Sequence, residues 1–301
     1  MGDGRGLGTG RTVVIEVFDI KVTAYDLDHL DISWKIRDTN EDLQRYNFFL
    51  LRSVDGSEGP FQVHAGPFGY TYTFRDPDIR PFHKWRKYFY KIRAVHKDTG
   101  DESEFGPAWL SPPPDLINME IRRRMGLVLT EFNGRPALLL PRLTFGQRCP
   151  HCWDMNSAGN TLGKKKRGNC VTCFDTGFVT GYATPIVIWI QIDPSPVSPQ
   201  PIGISERQPV DTSSRTPGYP PISPRDLIVE MENVRWQVER VPSTQKLRAV
   251  VHQEPVLHQV PRSDVRYKIP IDLSVLENRQ NSREFTRPMS LNYGNDRGQI
   301  R

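Results

Sequence analysis

Two Cys-x-x-Cys pairs constrain this chain more than any other feature. Cys149-Pro150-His151-Cys152 and Cys170-Val171-Thr172-Cys173 hold all four cysteines of the sequence, and residues 153–169, 17 in all, lie between them. Each pair can form a tight knuckle that aims two sulfurs at one point. Two knuckles close a tetrahedron around a single ion, and this spacing is that of structural zinc sites. Four thiolates fill the coordination shell and leave no position for water, so the expected cofactor is a structural Zn2+ held by Cys149, Cys152, Cys170 and Cys173. The competing reading is four reduced cysteines packed as small hydrophobes, or a redox pair. Against it, the segment 156–169 is rich in glycine and lysine and has little apolar surface with which to hold the pairs together. The clustering also fits a reducing compartment better than a disulfide framework.

His151 sits between two ligand cysteines and is expected beside the site or exposed, not as a fifth ligand. Lys164, Lys165, Lys166 and Arg167 form a basic run between the knuckles. A solvated loop is the simpler reading. Salt-sensitive contact with nucleic acid or with an acidic protein face is the sharper one.

The rest of the chain reads as several small modules. With 301 residues, 37% of them hydrophobic, there is apolar material for small cores rather than one large one. The 26 prolines and 23 glycines favour turns over long helices. A net charge of +5 over 40 basic and 35 acidic residues is weak evidence for nucleic acid as the primary partner. No apolar run approaches the ~20 residues of a membrane helix, and the first residues lack the apolar core of a secretory signal.

The expected fold class is mainly β. Residues 1–11, with glycine at every second position, read as a flexible arm. Residues 12–110 read as an antiparallel sandwich: Ile32 and Trp34, the run Tyr46–Leu51, Tyr70–Phe74, and Tyr88, Tyr90, Ile92 and Ala94 mark its strands. Turn signals at Asp38-Thr39-Asn40, Asp55-Gly56, Gly66-Pro67 and Asp98-Thr99-Gly100 separate them. Residues 115–192 read as a helix, a hairpin and the four-cysteine module. Ser111-Pro112-Pro113-Pro114 is a stiff hinge and Asp115 a helix N-cap, with Leu116, Ile117, Ile121 and Met125 at helical spacing and Arg122–Arg124 near the end of the helix. Leu127–Phe132 and Ala137–Leu140 flank Asn133-Gly134, the strongest short hairpin signal.

Residues 193–224 read as an extended loop without a core of its own, because Pro194–Pro224 holds nine prolines. Residues 225–275 read as a small β-barrel or meander whose strands centre on Leu227/Val229, Val234/Trp236/Val238, Leu247/Ala249/Val251, Val256/His258/Val260 and Val265/Tyr267/Ile269. That module is short and is expected to borrow the strand Ile186–Ile190. Residues 276–301 read as a polar C-terminal arm.

Reaction machinery is missing from the sequence patterns. There is no GxSxG, HExxH, phosphate loop or dinucleotide fingerprint, so the chain is expected not to be an enzyme. His252 and His258, near Glu254 and Asp264, are expected to pack on strand surfaces rather than to act in acid–base or metal chemistry.

Two resemblances follow from these residues. Ile32-Ser33-Trp34, Tyr46–Leu50 and Tyr88–Val95 resemble the B, C and F strands of a fibronectin type III domain. The resemblance implies that Trp34 is the central core tryptophan and that Tyr88 anchors the loop before strand F. The order of parts from Asp115 to Ile271 resembles virion structural proteins of tailed bacteriophages, of the neck or head-to-tail connector group. That order is a short helix, the Asn133-Gly134 hairpin, the knuckle opening Cys149-Pro150-His151-Cys152-Trp153-Asp154, then Thr176–Tyr182 leading to Pro185, then a β module around Arg235–Val238. It implies a non-enzymatic protein of the virion, assembled as a ring with copies of itself and other virion proteins and stapled by zinc. No membrane or small-molecule partner is implied. The alternative is a zinc-ribbon nucleic-acid-binding factor using residues 164–167. A third reading is an enzyme accessory module whose sandwich binds carbohydrate.

Overall fold

The computed structural model of the chain describes residues 15–24, 29–77, 87–110, 116–155, 161–164, 169–193, 211–246 and 249–278. The arm 1–11, the hinge at 111–115, Lys165–Arg167, residues 194–210 and most of 276–301 lie outside the described residues.

The protein is mainly β, and its N-terminal part is a sandwich. One sheet has three antiparallel strands in the order β1 (Val17–Thr23), β2 (Leu30–Ile36), β5 (Thr73–Asp76). The facing sheet has four, in the order β4 (Gln62–Phe68), β3 (Tyr46–Ser53), β6 (Phe89–His96), β7 (Glu102–Trp109). Alternation builds the core: Ile32, Trp34, Phe48, Leu50, Tyr90, Ile92 and Ala94 all point inward and are buried. Trp34 occupies the centre, its ring 5.6 Å from that of Phe68. Of the two tyrosines here, Tyr90 is the fully buried one. The Tyr90 hydroxyl donates to buried Asp76 at 2.9 Å, whereas Tyr88 is half-buried with the Arg52 guanidinium over its ring.

Both edge strands carry a Gly-Pro step. Gly66-Pro67 was expected to be a turn, but it lies inside β4 at a register shift, and Gly106-Pro107 lies inside β7 at another. Proline is tolerated there because an edge strand leaves alternate N–H groups unpaired, and the irregularity blunts the edge. Glycine is required at both steps: a Cβ on Gly66 would lie 2.8 Å from the Phe48 carbonyl oxygen, and one on Gly106 2.9 Å from that of Tyr90.

The expected hairpin at Asn133-Gly134 is not formed. Helix α1 (Leu116–Val128) runs on into a wider π-type turn, Leu129–Asn133, and Gly134 ends it by donating its N–H to the Leu129 carbonyl. A side chain at Gly134 would meet that carbonyl at 2.5 Å. Buried Met119 and Leu129 fix the inward side of the helical segment. Arg122 donates to the Val250 carbonyl, and Arg123 and Arg124 pair with Glu120.

The C-terminal part is a closed six-stranded barrel. Its strands run β11 (Ile186–Asp193), β8 (Arg135–Leu140), β13 (Leu227–Val229), β14 (Arg235–Arg240), β17 (Val256–Gln259), β12 (Asp211–Pro217), and β12 pairs back onto β11. The hairpin β15 (Ser243–Lys246) and β16 (Ala249–Gln253) extends from β12. The barrel therefore does borrow Ile186–Ile190, and it also takes β8. Ala137 and Leu139 on β8 join one cluster with Ile188, Ile228, Trp236 and Leu257. Leu138 and Leu140 join another with Tyr182, Leu227, Val229 and Ile269. A strand buried on both faces reads as a continuous apolar run.

Two further expectations are corrected. The second half of the proline-rich segment is not a coreless loop: β12 is a barrel strand, with Thr212, Ser214 and Thr216 buried on alternate positions, and Ile222 is buried after it. Val265, Tyr267 and Ile269 do not form a strand. A 3₁₀ turn covers Val265–Lys268, and the Asp264 carboxylate caps it by accepting the Arg266 N–H.

Candidate metal centre

The four cysteines meet at the joint between sandwich and barrel. Leu143, Phe145, Phe178 and Ala183, all from the segments flanking the knuckles, pack into the sandwich core, whereas Phe174 and Tyr182 pack against the barrel. Main-chain bonds tie the first knuckle to the sandwich: Thr39 donates to the Gly146 carbonyl, and Arg148 donates to that of Thr39. The Gln147 side chain accepts from the Leu43 N–H and the Tyr70 hydroxyl. Nearby, the barrel-side Tyr219 hydroxyl donates to Asp31 of β2 at 2.8 Å, with Arg75 stacked over the tyrosine ring.

The local fold of the knuckles follows from their sequence. In the first, the Cys149 carbonyl accepts the N–H groups of Cys152 and Trp153, which closes the turn. Trp153 covers one side: its indole N–H donates to the Gly177 carbonyl at 2.7 Å, and Arg148 lies over its ring. In the second, the Asp175 carboxylate accepts the N–H groups of Asn169 and Cys170, and the Thr176 hydroxyl donates to the Cys173 carbonyl. Asp175 has a positive φ of 64°, one that short polar side chains tolerate. Gly181 closes the module, since its φ of +69° and the 2.5 Å separation between a Cβ there and the Cys173 carbonyl exclude any side chain. A small hairpin of β9 (Trp153–Met155) and β10 (Thr161–Lys164) leaves from the first knuckle.

The four sulfurs lie within 4.8 Å of one another, with Cys149 and Cys170 at 3.8 Å and Cys152 and Cys173 at 3.4 Å. Cys149, Cys152 and Cys173 are buried and Cys170 is half-buried. Burial pushes the Cys173 thiol up to about 11 and also raises that of Cys152, so neither ionises readily without a cation beside it. Burial opposes ionisation of Cys170 too, but backbone N–H groups of Cys173 and Thr172 aimed at its sulfur outweigh it and bring the thiol down to about 7. This is a metal-binding arrangement. All four residues singled out from sequence converge, and no other group of three or more ligating side chains does so among the described residues. His151 is exposed beside the site. Lys164 ends β10, and the other basic residues of that run lie outside the described residues. His252 hydrogen-bonds Glu254 on a strand surface.

The fold and site define a mainly β protein with a four-cysteine metal-binding centre at the seam of its two parts. Comparison with protein-family models, curated proteins and solved structures finds no match.

Proposed function

We propose that the chain is a non-catalytic structural protein whose four cysteines hold one Zn2+ as an internal crosslink, and that it is a neck or connector component of a tailed-phage virion, assembled as a ring. The observation that carries the structural part is the position of the cluster. A regular tetrahedron with Zn–S bonds of about 2.3 Å places sulfurs about 3.8 Å apart; two observed separations are 3.8 and 3.4 Å, and all four sulfurs lie within 4.8 Å of one another. Four thiolates complete the shell, so the ion supplies folding energy and no open site for a substrate. The crosslink lies where two cores meet across a proline- and glycine-rich connection, and it fixes their relative orientation. A part that must hold a defined angle within an assembly needs that property.

The virion assignment rests on the order of parts over residues 115–271: a short helix, the Cys149–Cys152 knuckle, residues 176–182 and the β module around residues 235–238, without the Asn133-Gly134 hairpin, since that dipeptide ends the helical segment. Three strands facing four support reading the sandwich as fibronectin-like. Mass photometry of the zinc-loaded protein tests the assembly. A ring predicts one discrete mass at an integer multiple of the chain, or uptake into a larger particle with phage partner proteins. A monomer at every concentration that also fails to join such particles contradicts it.

A further inference from the structure

Beside the second knuckle, where it meets the barrel, is an open cleft of about 360 Å3 into which Arg142, Arg225 and Arg266 all face, with Tyr182 and Thr176 between them. The three guanidinium groups are not equally satisfied. Arg266 is clamped by Asp264, with its Nε and Nη2 at 2.8 and 2.7 Å from the two carboxylate oxygens, and it also donates to Gln237. Arg142 has only the Thr176 carbonyl, at a long 3.4 Å, and Arg225 uses its main-chain N–H but has no side-chain bond. Among the described residues neither Arg142 nor Arg225 forms an ion pair.

The carboxylates nearby are already committed. Asp264 belongs to Arg266, and Asp175 accepts the amides of the knuckle. Buried Asp226 accepts the main-chain N–H groups of Arg142 and Ser223 at 2.8 and 2.7 Å. Those two bonds hold the segments that carry Arg142 and Arg225 side by side. Burial and then the neighbouring charge of Arg225 make Arg142 less basic, with Tyr182 and Asp226 offsetting part of that effect. Arg225 also sits at φ +72°, a conformation natural to glycine and uncommon for a long side chain. Strain of this kind persists where the side chain has a task.

We infer that this cleft is an oxyanion site that takes a phosphate group, with Arg142 and Arg225 as its charged donors. Two planar forks lining one cleft, beside the knuckle-bound carboxylate of Asp175, suit the several oxygens and the double charge of phosphate better than a single carboxylate. The buried phenol of Tyr182 and the Arg266–Asp264 clamp define the rim. The phosphate can be free or part of a nucleic-acid backbone, and the chemistry of recognition is shared.

Isothermal titration calorimetry on the full zinc-loaded chain at constant ionic strength tests the site, with inorganic phosphate and a short single-stranded oligonucleotide as separate probes. Saturable binding to at least one probe is expected. Arg225→Gly should weaken it about tenfold or more, the loss of one charge-assisted contact, while its melting temperature stays level or rises because the strained φ is relieved. Arg142→Gln, which keeps the main-chain anchor to Asp226, should weaken it similarly, and the exposed-site control Arg262→Ala should not. Binding of both probes marks a site for phosphate as such, and Arg225-dependent binding of the oligonucleotide alone marks a backbone site. No saturable binding of either, or equal affinity in wild type, Arg225→Gly and Arg142→Gln, overturns the inference.

Discussion

Asp76 is fully buried at the end of β5; Arg52 at 3.1 Å and the Tyr90 hydroxyl at 2.9 Å donate to it, and His64 Nε2 lies 3.1 Å away. A buried carboxylate is tolerated only with such company, and removing its charge takes the anion out of the buried Arg52–Asp76 pair. Asp76→Asn should therefore destabilise the protein by about 3 kcal/mol, read as a lower urea midpoint at unchanged slope. Tyr90→Phe removes one hydrogen bond and should cost about 1 kcal/mol. Equal, small effects of both would show that the network does not hold the sandwich. Asp226 supplies a second residue-scale test. Burial pushes its carboxyl up to about 6, only partly offset by the N–H groups of Arg142 and Ser223. The folded chain then holds this proton more tightly than the unfolded chain, whose carboxyl titrates near 4. The contribution is present in full below about pH 4, lost as pH rises through about 6, and worth about 3 kcal/mol at 1.36 kcal/mol per unit. Asp226→Asn should be less stable throughout and should lack this component. If stability profiles of the two proteins from pH 4 to 7 run parallel, the reading of Asp226 is wrong.

The elements differ in how plainly they can be read from sequence. β2 and β6 largely alternate apolar residues with polar ones and β3 is a short apolar run, and their buried faces are Ile32/Trp34, Tyr90/Ile92/Ala94 and Phe48/Leu50. β12 alternates just as regularly, but its buried residues are Thr212, Ser214 and Thr216, so hydrophobicity shows nothing and the surrounding prolines suggest a tether. β4 and β7 are hidden by Gly-Pro steps that look like turns and are edge irregularities. Leu127–Phe132 shows the ambiguity of a short apolar run, which fits a strand or a helix equally. Asn133-Gly134 suits a hairpin but also ends a helix, and the contacts of Met119 and Leu129 decide for the helix. The metal site was legible in full, because Cys-x-x-Cys spacing fixes local geometry before tertiary packing matters. The partners that shape it, Asp175, Trp153 and Gly181, were not, since each acts through a main-chain bond or close approach that has no sequence spacing of its own. At this scale, Gly181→Ala should misplace the second knuckle by forcing a Cβ against the Cys173 carbonyl. The expected result is at least tenfold weaker metal retention in a chelator competition, while Gly100→Ala, at an open turn, changes retention little. Equal retention by both would show that the knuckle does not need the close approach.

Across the whole molecule, two cores share one seam. The sandwich ends in Leu143 and Phe178, the barrel cluster takes in Tyr182, and the four cysteines lie between them in sequence and in space. Apolar material is split among four clusters, so no single core can carry the chain alone. A metal crosslink at the seam, as proposed, would couple the halves and make folding and ion binding one equilibrium. Loss of the ion should loosen the seam first. Amide exchange after chelation should rise at Cys149 and Ala183, whose N–H groups bond to the Gly177 and Pro141 carbonyls within the four-cysteine module, and at Cys152 and Gly181, which close its local turns, before it rises in β3 or β6. Simultaneous exchange everywhere would mean that the ion holds the entire fold, and unchanged exchange that it holds none.

The most direct test of the central claim is metal content measured together with stability. Native mass spectrometry and elemental analysis of protein purified without added metal should find one zinc per chain. The variant with serine at positions 149, 152, 170 and 173 should carry none and melt well below the wild type. Zinc-free native protein, or a four-serine variant with the wild-type melting curve, would contradict the account.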